Sequence, residues 1–502
     1  MPKITASKLY DYLQCKHKVW RDAWGPQEEK NPETNPFVEL LWERGVNHEK
    51  EVIKNIGEIV DVSLLPRDER FPKTLELMKS KTPLVYQGVL QFGGLYGIPD
   101  LLRLNPDGTY TPIDIKSGRG IEGVDEENSE DEGKLKKHYA VQLALYLEIL
   151  RALGFSKIWE GYIYDIDNKE VCYSLLSPMG IRNKTLWVNY YEELKTEIKP
   201  LLENTTQNLP ALMGACKLCP WYQSCTKWLK DNSDPTLVFY LGRAKRDVLF
   251  DELQIKTVED LVNIDIAKVL EAKAKERGSF PGLAEKTLKT IINRAKIMTQ
   301  TKKPVIYQKF EFPKVEKDLF FDIEDDPTQG FIYLHGVYER SQNGERFLPF
   351  TAKEKTPEAE KQAWADFINY LREQPKGSYC LYYYSKHEPT SYKKLREQYP
   401  DVITQEELDA IFAPPNAVDL YFDVIYKLTD WPLSSYSLKE IAHYLGFNWR
   451  DKTPSGALSI QWFNEYLKTK NPKDLQRIVD YNEDDCKATM IIKDGLVKLM
   501  YG

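Results

Sequence analysis

Three short patterns in a fixed order constrain this chain more than its composition does. Tyr96-Gly-Ile-Pro-Asp100 closes one apolar run with a carboxylate. Tyr110-Thr-Pro-Ile-Asp-Ile-Lys-Ser-Gly118 follows, and Ile113 to Lys116 alternates apolar and polar, as a short strand ending at Gly118 does. Residues two apart on a strand share a face, so Asp114 and Lys116 project side by side. Gln142 and Tyr146 then lie four apart in the helical pattern Val141 to Leu150, on one helix face. Asp-x-Lys alone is common, whereas the ordered set of three patterns is rare by chance. A carboxylate can hold a divalent metal, and an ammonium beside it can orient a water or offset charge on a developing phosphorane. The polar face of the following helix could support that lysine or hold a phosphate. The alternative is a surface Gln142 and a Tyr146 that only packs.

A length of 502 residues suggests three domains at about 150 residues each. Hydrophobic content of 42% leaves material for more than one core. No apolar run reaches the ~18 residues of a membrane helix, and the first residues lack a signal-peptide core, so a cytoplasmic protein without a membrane partner is expected. The net charge of -7 gives no bulk attraction to nucleic acid, so local basic patches would have to supply it.

Leu40 to Ile56 reads as a helix carrying His48-Glu49. His48 alone is most simply a half-buried histidine, but with the carboxylates that follow it suits Mn²⁺ or Mg²⁺. Val85 to Leu104 reads as strands around a Gly93-Gly94 turn, and the acidic stretch Val124 to Glu132 as a solvated loop. Thr5 to Cys15 reads as a helix with Ser7 as its cap. Seven cysteines are too few and too uneven for a disulfide framework. Three of them, Cys216, Cys219 and Cys225, crowd one segment, and Cys15 is the candidate fourth ligand for either Zn²⁺ or a [4Fe–4S] cluster. Such a site would staple the two ends of one domain.

Residues 1–230 resemble the RecB-type branch of the PD-(D/E)xK nucleases, which have a restriction-endonuclease-like fold. The resemblance is to the iron–sulfur form, in which one cysteine precedes the nuclease core and three follow it. It implies that His48, Asp100 and Asp114 bind metal, that Lys116 is catalytic, and that Gln142 and Tyr146 form the Gln-x-x-x-Tyr motif. It also implies a [4Fe–4S] cluster on Cys15, Cys216, Cys219 and Cys225.

From Leu237 to Lys303 the charge reverses, with 14 Lys or Arg against 9 Asp or Glu, net +5. Short helical patterns around Leu241-Gly242, Ile255 to Leu261 and Gly282 to Lys286 resemble helix-hairpin-helix modules, which grip DNA phosphates without reading sequence. Lys245, Arg246 and Lys286 are the candidate contacts. A helical spacer with solvated charges fits residues 231–303 equally well.

Residues 304–502 open with the apolar strand Asp318-Leu-Phe-Phe-Asp-Ile-Glu324, which places Asp322 and Glu324 on one face. A second strand, Phe331 to Tyr338, follows. Near the end, Leu475 to Leu499 is helical, with Tyr481 and Asp485 four apart. Acids on a strand and on a distant helix can converge on two metals. This half resembles the RNase H-like DEDD exonucleases, with Asp322 and Glu324 as the first motif and Tyr481 and Asp485 as the third. The middle motif departs: Tyr384-Ser-Lys-His-Glu388 offers Glu388 where the family has Asp, and Asp419 and Asp423 compete with it.

The expected molecule is an α/β multidomain protein with a PD-(D/E)xK domain, a small helical middle domain and an RNase H-like domain. The expected activity is metal-dependent cleavage of DNA, from single strands or ends, with RNA as another substrate and a helicase or repair protein as partner. The main cutting is expected in the N-terminal half, whose motif set is complete. The rivals are a nucleic-acid-binding protein with a degenerate nuclease domain and a zinc-bound scaffold for a helicase.

Overall fold

The computed structural model describes residues 3–33, 35–123, 133–181, 183–276, 278–452 and 455–502, so the acidic stretch Val124 to Glu132 lies outside the described residues. The chain forms two compact units, Met1–Trp228 and Leu229–Gly502.

In the first unit a mixed six-stranded sheet runs in the order Glu170–Ser174, Glu160–Tyr164, Tyr110–Ile115, Leu101–Leu104, Leu84–Tyr86, Val60–Asp61. All six residues of Tyr110–Ile115 are buried, which places Asp114 inside the fold rather than at a solvated end. Against this sheet lies the helix Lys137–Ala152, with ten buried residues and apolar side chains on nearly every face, as a core helix requires. A separate three-stranded sheet contains the hairpin of Leu90–Phe92 and Leu95–Gly97, whose turn residues Gly93 and Gly94 both have positive φ (54° and 85°). Only glycine adopts that backbone without a Cβ penalty. The first helix is Ala6–Gln14 with Cys15 as its C-cap, but Thr5, not Ser7, is the N-cap: its side chain accepts from Lys8 N. The helix Pro36–Asn55 starts four residues before the expected Leu40, because Asn35 caps it and Pro36 suits its first position.

The second unit contains a five-stranded sheet in the order Gly344–Thr351, Phe331–Ser341, Lys317–Asp326, Tyr379–Tyr383, Ala417–Asp419. The first three strands are antiparallel neighbours and the last two join in parallel. Leu319, Phe321 and Ile323 face one apolar core. The alternate face meets the long helix Pro472–Tyr501. The helices between Gly242 and Lys296 have an apolar core of their own, including Leu249, Leu261, Leu283 and Leu288. They belong to the same compact unit as the sheet. A buried ion pair between Arg294 Nε and Asp430 Oδ1, 2.7 Å apart, ties them to it. No helix among the described residues is long and apolar enough to cross a membrane.

Candidate metal centre

Asp322 and Glu324 leave the central strand on the face opposite its apolar core, and Asp485 meets them from the long helix. One ligand oxygen from each lies within 4.8 Å of the others, the one such group of acids, histidines or cysteines among the described residues. Asn482, one turn before Cys486, donates from Nδ2 to Asp322 Oδ2 at 2.8 Å and to Glu324 Oε1 at 3.4 Å. That amide fits because Gly336, the strand partner of Asp322, has no side chain: a Cβ there would lie 1.6 Å from Asn482 Oδ1. Trp449 Nε1 donates to Asp485 Oδ1 at 2.7 Å, and Lys439 Nζ donates to the Tyr481 hydroxyl at 3.2 Å.

Charge is crowded here. Burial, then Asp485 and Glu324, hold Asp322 well above the usual carboxylate range. Burial and Asp485 do the same to Glu324. Asp485 is pushed up to about 6 by burial, against the pull of Lys439, Trp449 and Tyr481. Glu388 stands outside the trio in the first turn of the helix His387–Gln398, buried, with Oε2 unpartnered. Burial pushes it up to about 8, with Asp419 and Asp325 adding and His387 opposing. It also contributes to the raised pKa of Asp322, so it lies within electrostatic reach of the trio. Its competitors are committed elsewhere. Asp419 Oδ1 accepts from Ser385 N and Phe422 N, and Asp423 pairs with Lys427 at 2.9 Å. Asn482, Trp449 and Lys439 were not foreseen. The one available signal was an amide between Tyr481 and Asp485 on the buried side of the long helix.

In the first unit Asp100 and Asp114 are stitched together through backbone: Asp100 N donates to Asp114 Oδ1 and Ile115 N to Asp100 Oδ2, at 3.2 and 2.7 Å. Lys116 Nζ lies 3.0 Å from Asp114 Oδ2. Burial works against the lysine's charge, but Asp114 and Asp100 outweigh it and hold the ammonium above its ordinary range. Burial and Asp114 raise Asp100 well above the usual carboxylate range. Gln87, at φ 52°, bridges Asp100 Oδ1 and Glu49 Oε1 from one amide nitrogen at 3.0 and 2.7 Å. Glu49 and Gln87 are the acids' neighbours that sequence reasoning did not assign. His48 is buried with Nε2 unpartnered, but it does not join Asp100 and Asp114 within 4.8 Å. Gln142 Nε2 donates to the Tyr146 hydroxyl, which donates to Ile98 O, two residues before Asp100. Gly97 makes room for this, since a Cβ there would meet the Tyr146 ring at 2.5 Å.

Cys15, Cys216, Cys219 and Cys225 line one cavity of about 1250 Å³, which extends to Gln142 and Tyr146. Burial pushes the Cys225 thiol up to about 12, opposed by Arg21 and reinforced by Cys219, Cys15 and Cys216. No three of these sulfurs lie within 4.8 Å of one another.

One of the three basic candidates is corrected. Arg246 is 1% exposed, and its Nη1 lies 2.8 Å from the buried Asp234 Oδ2, so it is a core cation and not a phosphate contact. Lys286 is exposed, and Lys245 is half-buried with Nζ donating to the carbonyls of Tyr240 and Leu241.

Comparison with known proteins agrees with the second unit's topology. Residues 319–497 match the family described as the RNase_H superfamily. Two curated relatives are ATP-dependent helicase/nuclease subunits from Listeria monocytogenes, one from serovar 1/2a (strain ATCC BAA-679 / EGD-e) and one from serotype 4a (strain HCC23). Each is 28% identical, over 129 and 130 residues, covering 24% of this chain. The chain spans about a tenth of the length of these relatives. A solved protein, SSO0001, matches over 38% of this chain and 97% of its own at 16% identity, with a TM-score of 0.18, too low to bear on the fold. The match covers the stretch in which two acids of the central strand, Asp322 and Glu324, meet Asp485 of the long helix: residues 319–497 form an RNase_H superfamily domain.

Proposed function

We propose that this protein is a metal-dependent deoxyribonuclease that works on single strands or ends. The observation that carries the reading is the convergence of Asp322, Glu324 and Asp485 within 4.8 Å. Burial raises all three carboxyls, and Asp485 adds to the rise at Asp322 and Glu324, so the cluster favours a bound cation. An all-oxygen donor set of this kind fits Mg²⁺ or Mn²⁺. A pair of such ions, when bound, stabilises the attacking and leaving oxygens of phosphodiester cleavage. Asn482 fixes the two strand carboxylates, Trp449 fixes Asp485, and the Tyr481 hydroxyl, held by Lys439, is placed to orient a water at the cluster's edge. Glu388 is the fourth acid, in the place of the family's aspartate.

A second nuclease centre on His48, Asp100, Asp114 and Lys116 is part of the proposal. It is supported by the unpartnered His48 Nε2 and by the Asp100–Asp114–Lys116 contacts. For the four cysteines we favour a [4Fe–4S] cluster over zinc. Structural zinc sites usually pair two close-spaced couples, whereas here one distant cysteine joins a tight triplet. Four thiolates suit a four-iron cluster. The similarity to helicase/nuclease proteins supports a partner that unwinds the duplex.

The test is digestion of end-labelled single- and double-stranded DNA and RNA in Mn²⁺, Mg²⁺ and EDTA. It is run with wild type, Asp485→Asn, Lys116→Ala and the double variant. Metal-dependent cleavage of DNA that the double variant lacks is expected. Cleavage that survives EDTA, or survives the double substitution, overturns the reading. Iron analysis of anaerobically purified protein tests the cluster, and stoichiometric zinc without iron would overturn that part.

A further inference from the structure

The second unit carries a group of tyrosines that the acidic centre does not use. Asp419 caps the helical turn Leu420–Ile425, which presents Tyr421 and Phe422, and Tyr426 follows directly. The Tyr421 and Tyr426 rings stack with centroids 6.0 Å apart, and the Tyr240 ring stands edge-on to Tyr426 at 5.8 Å. The Tyr240 hydroxyl is bonded to that of Tyr421 at 3.2 Å. Yet Tyr240 is 60% exposed and Tyr426 42%. Tyr240 also has a left-handed backbone at φ 63°, which a bulky side chain rarely adopts. Strain of this kind is kept where the ring's position matters.

The cluster leads toward the acidic centre along the chain. Tyr384 touches Tyr421, with centroids 5.5 Å apart; after it come Ser385, whose N–H donates to Asp419 Oδ1, then Lys386, His387 and Glu388. The Lys386 ammonium is exposed and lies 5.0 Å from the Phe422 ring centroid. Exposed rings interleaved with a lysine, leading to carboxylates, match the chemistry of a single-stranded nucleic acid: flat bases for the rings, phosphates for the ammonium.

We propose that Tyr240 and Tyr426 form a stacking platform for the bases of a single-stranded nucleic acid whose end lies at the Asp322–Glu324–Asp485 cluster. This rests on the reading of that cluster as a nuclease centre. Stacking needs π-faces and no particular sequence, so the platform is sequence-tolerant.

The full-length protein is titrated, in Ca²⁺ to prevent turnover, with a fluorescent oligothymidylate of about 15 nucleotides and with an abasic strand of equal length and charge. Tyr240→Leu and Tyr426→Leu are each expected to weaken oligothymidylate binding on the order of tenfold, with the Phe variants retaining it. Abasic-strand binding stays the same in every variant. Should Tyr240→Leu fail to fold, Tyr426→Leu carries the test. Leucine variants that hold oligothymidylate like wild type, or lose the abasic strand equally, overturn the platform; equal binding is also the result expected if the patch instead seats a protein. Hydrolysis of bis(p-nitrophenyl) phosphate in Mn²⁺, a substrate too small to reach the rings, is measured in the Lys116→Ala background with and without Asp485→Asn, and the part that Asp485→Asn removes reads this centre separately. Cleavage without a stacking effect removes the platform and leaves the nuclease. A stacking effect without any hydrolysis keeps the platform and removes the nuclease.

Discussion

Lys116 stands 3.0 Å from Asp114 in the first unit, so that pair of buried acids has a cation built into the strand that presents it. In the second unit Lys439 is directed at the Tyr481 hydroxyl and at the rings of Tyr481 and Trp449. It draws the Asp485 pKa down through space, while Glu388 and Asp325 add to the negative charge around Asp322. One centre thus carries a cation of its own chain beside its acids, while the other leaves its three converging acids without a lysine or arginine ion pair among the described contacts. The difference teaches where metal dependence should be strongest. It also sets against each other the expectation that the N-terminal half does the main cutting and the geometry that favours the C-terminal trio.

The largest effect should separate the two. Asp485→Asn removes one of three converging ligands, and loss of metal stabilisation worth several kcal/mol lowers cleavage on the order of 10³-fold. Lys116→Ala removes a single charge-stabilising group, with a loss of about 10²-fold at its own centre. Rates for both variants and their combination, resolved by product length, assign each activity. If Lys116→Ala is inert and Asp485→Asn cuts like wild type, the comparison is reversed and the centre with its own lysine is the working one.

Both centres depend on a missing Cβ, which gives the next largest effect. Gly336→Ala would drive a methyl to 1.6 Å from Asn482 Oδ1, displacing the amide that holds Asp322 and Glu324. Gly97→Ala would press on the Tyr146 ring at 2.5 Å. Overpacking of this kind costs about 1–3 kcal/mol. The Gly336 substitution belongs at the upper end, because a buried hydrogen-bonded amide is lost with the space. Denaturant titrations of the two variants check the order. A Gly336→Ala protein as stable and active as wild type would mean that Asn482 does not set the carboxylate geometry.

Much of this was legible in the chain. Phe320, Phe321 and Ile323 around Asp322 announce a strand at the edge of a core, and the alternation from Ile113 to Lys116 predicts the Asp114–Lys116 contact that the structure contains. What was not legible depends on residues far apart in sequence. Nothing local says that Gln87 bridges Glu49 and Asp100, since its placement needs a positive φ that glutamine rarely adopts. The net charge of residues 237–303 pointed outward for Arg246, whereas Asp234, twelve residues earlier, draws it inside. The helical middle segment read as a separate piece because its own periodicity is complete. Its membership of the second unit hangs on contacts such as Arg294 with Asp430, 136 residues away.

A smaller effect follows from the titration of the two centres. Glu388 is pushed from the ordinary glutamate value up to about 8 and Asp485 up to about 6, with Asp322 and Glu324 also raised. Without metal, the folded state therefore keeps protons that the unfolded chain has already released. The stability these protons supply is complete below about pH 4 and is lost as pH rises to 8. In the first unit Asp100 and Asp11 act in the same sense, but among the described residues they are two raised carboxyls against six, since Glu360 and Asp419 are raised in the second unit as well, and Lys116 stays charged throughout this range. Hydrogen exchange in EDTA, read peptide by peptide, should show the second unit loosening more than the first between pH 5 and 8. Saturating Mn²⁺ should flatten the difference. Equal slopes in the two units would remove the contrast in built-in charge balance.

The smallest effect concerns cations that the fold leaves toward solvent. Arg246 is consumed by Asp234, but Lys286 is exposed, and Lys245 keeps its ammonium near the chain reversal at Tyr240. If these two lysines meet phosphates, replacing both with glutamine weakens DNA binding by the same factor for every sequence. It also lowers the slope of log K against log salt by about 1.8 on duplex, since each neutralised phosphate contributes about 0.9. Near physiological salt the loss is a few-fold, well below that of either centre's knockout. Lys286 is exposed and its loss should leave folding unchanged, whereas Lys245 also gives up its hydrogen bonds to the carbonyls of Tyr240 and Leu241, so thermal stability is measured beside binding. An unaltered salt slope would make the segment a helical spacer. The second unit's contact with nucleic acid would then rest on the rings and the metal cluster alone, and its dependence on an external cation would be sharper than the comparison with Lys116 implies.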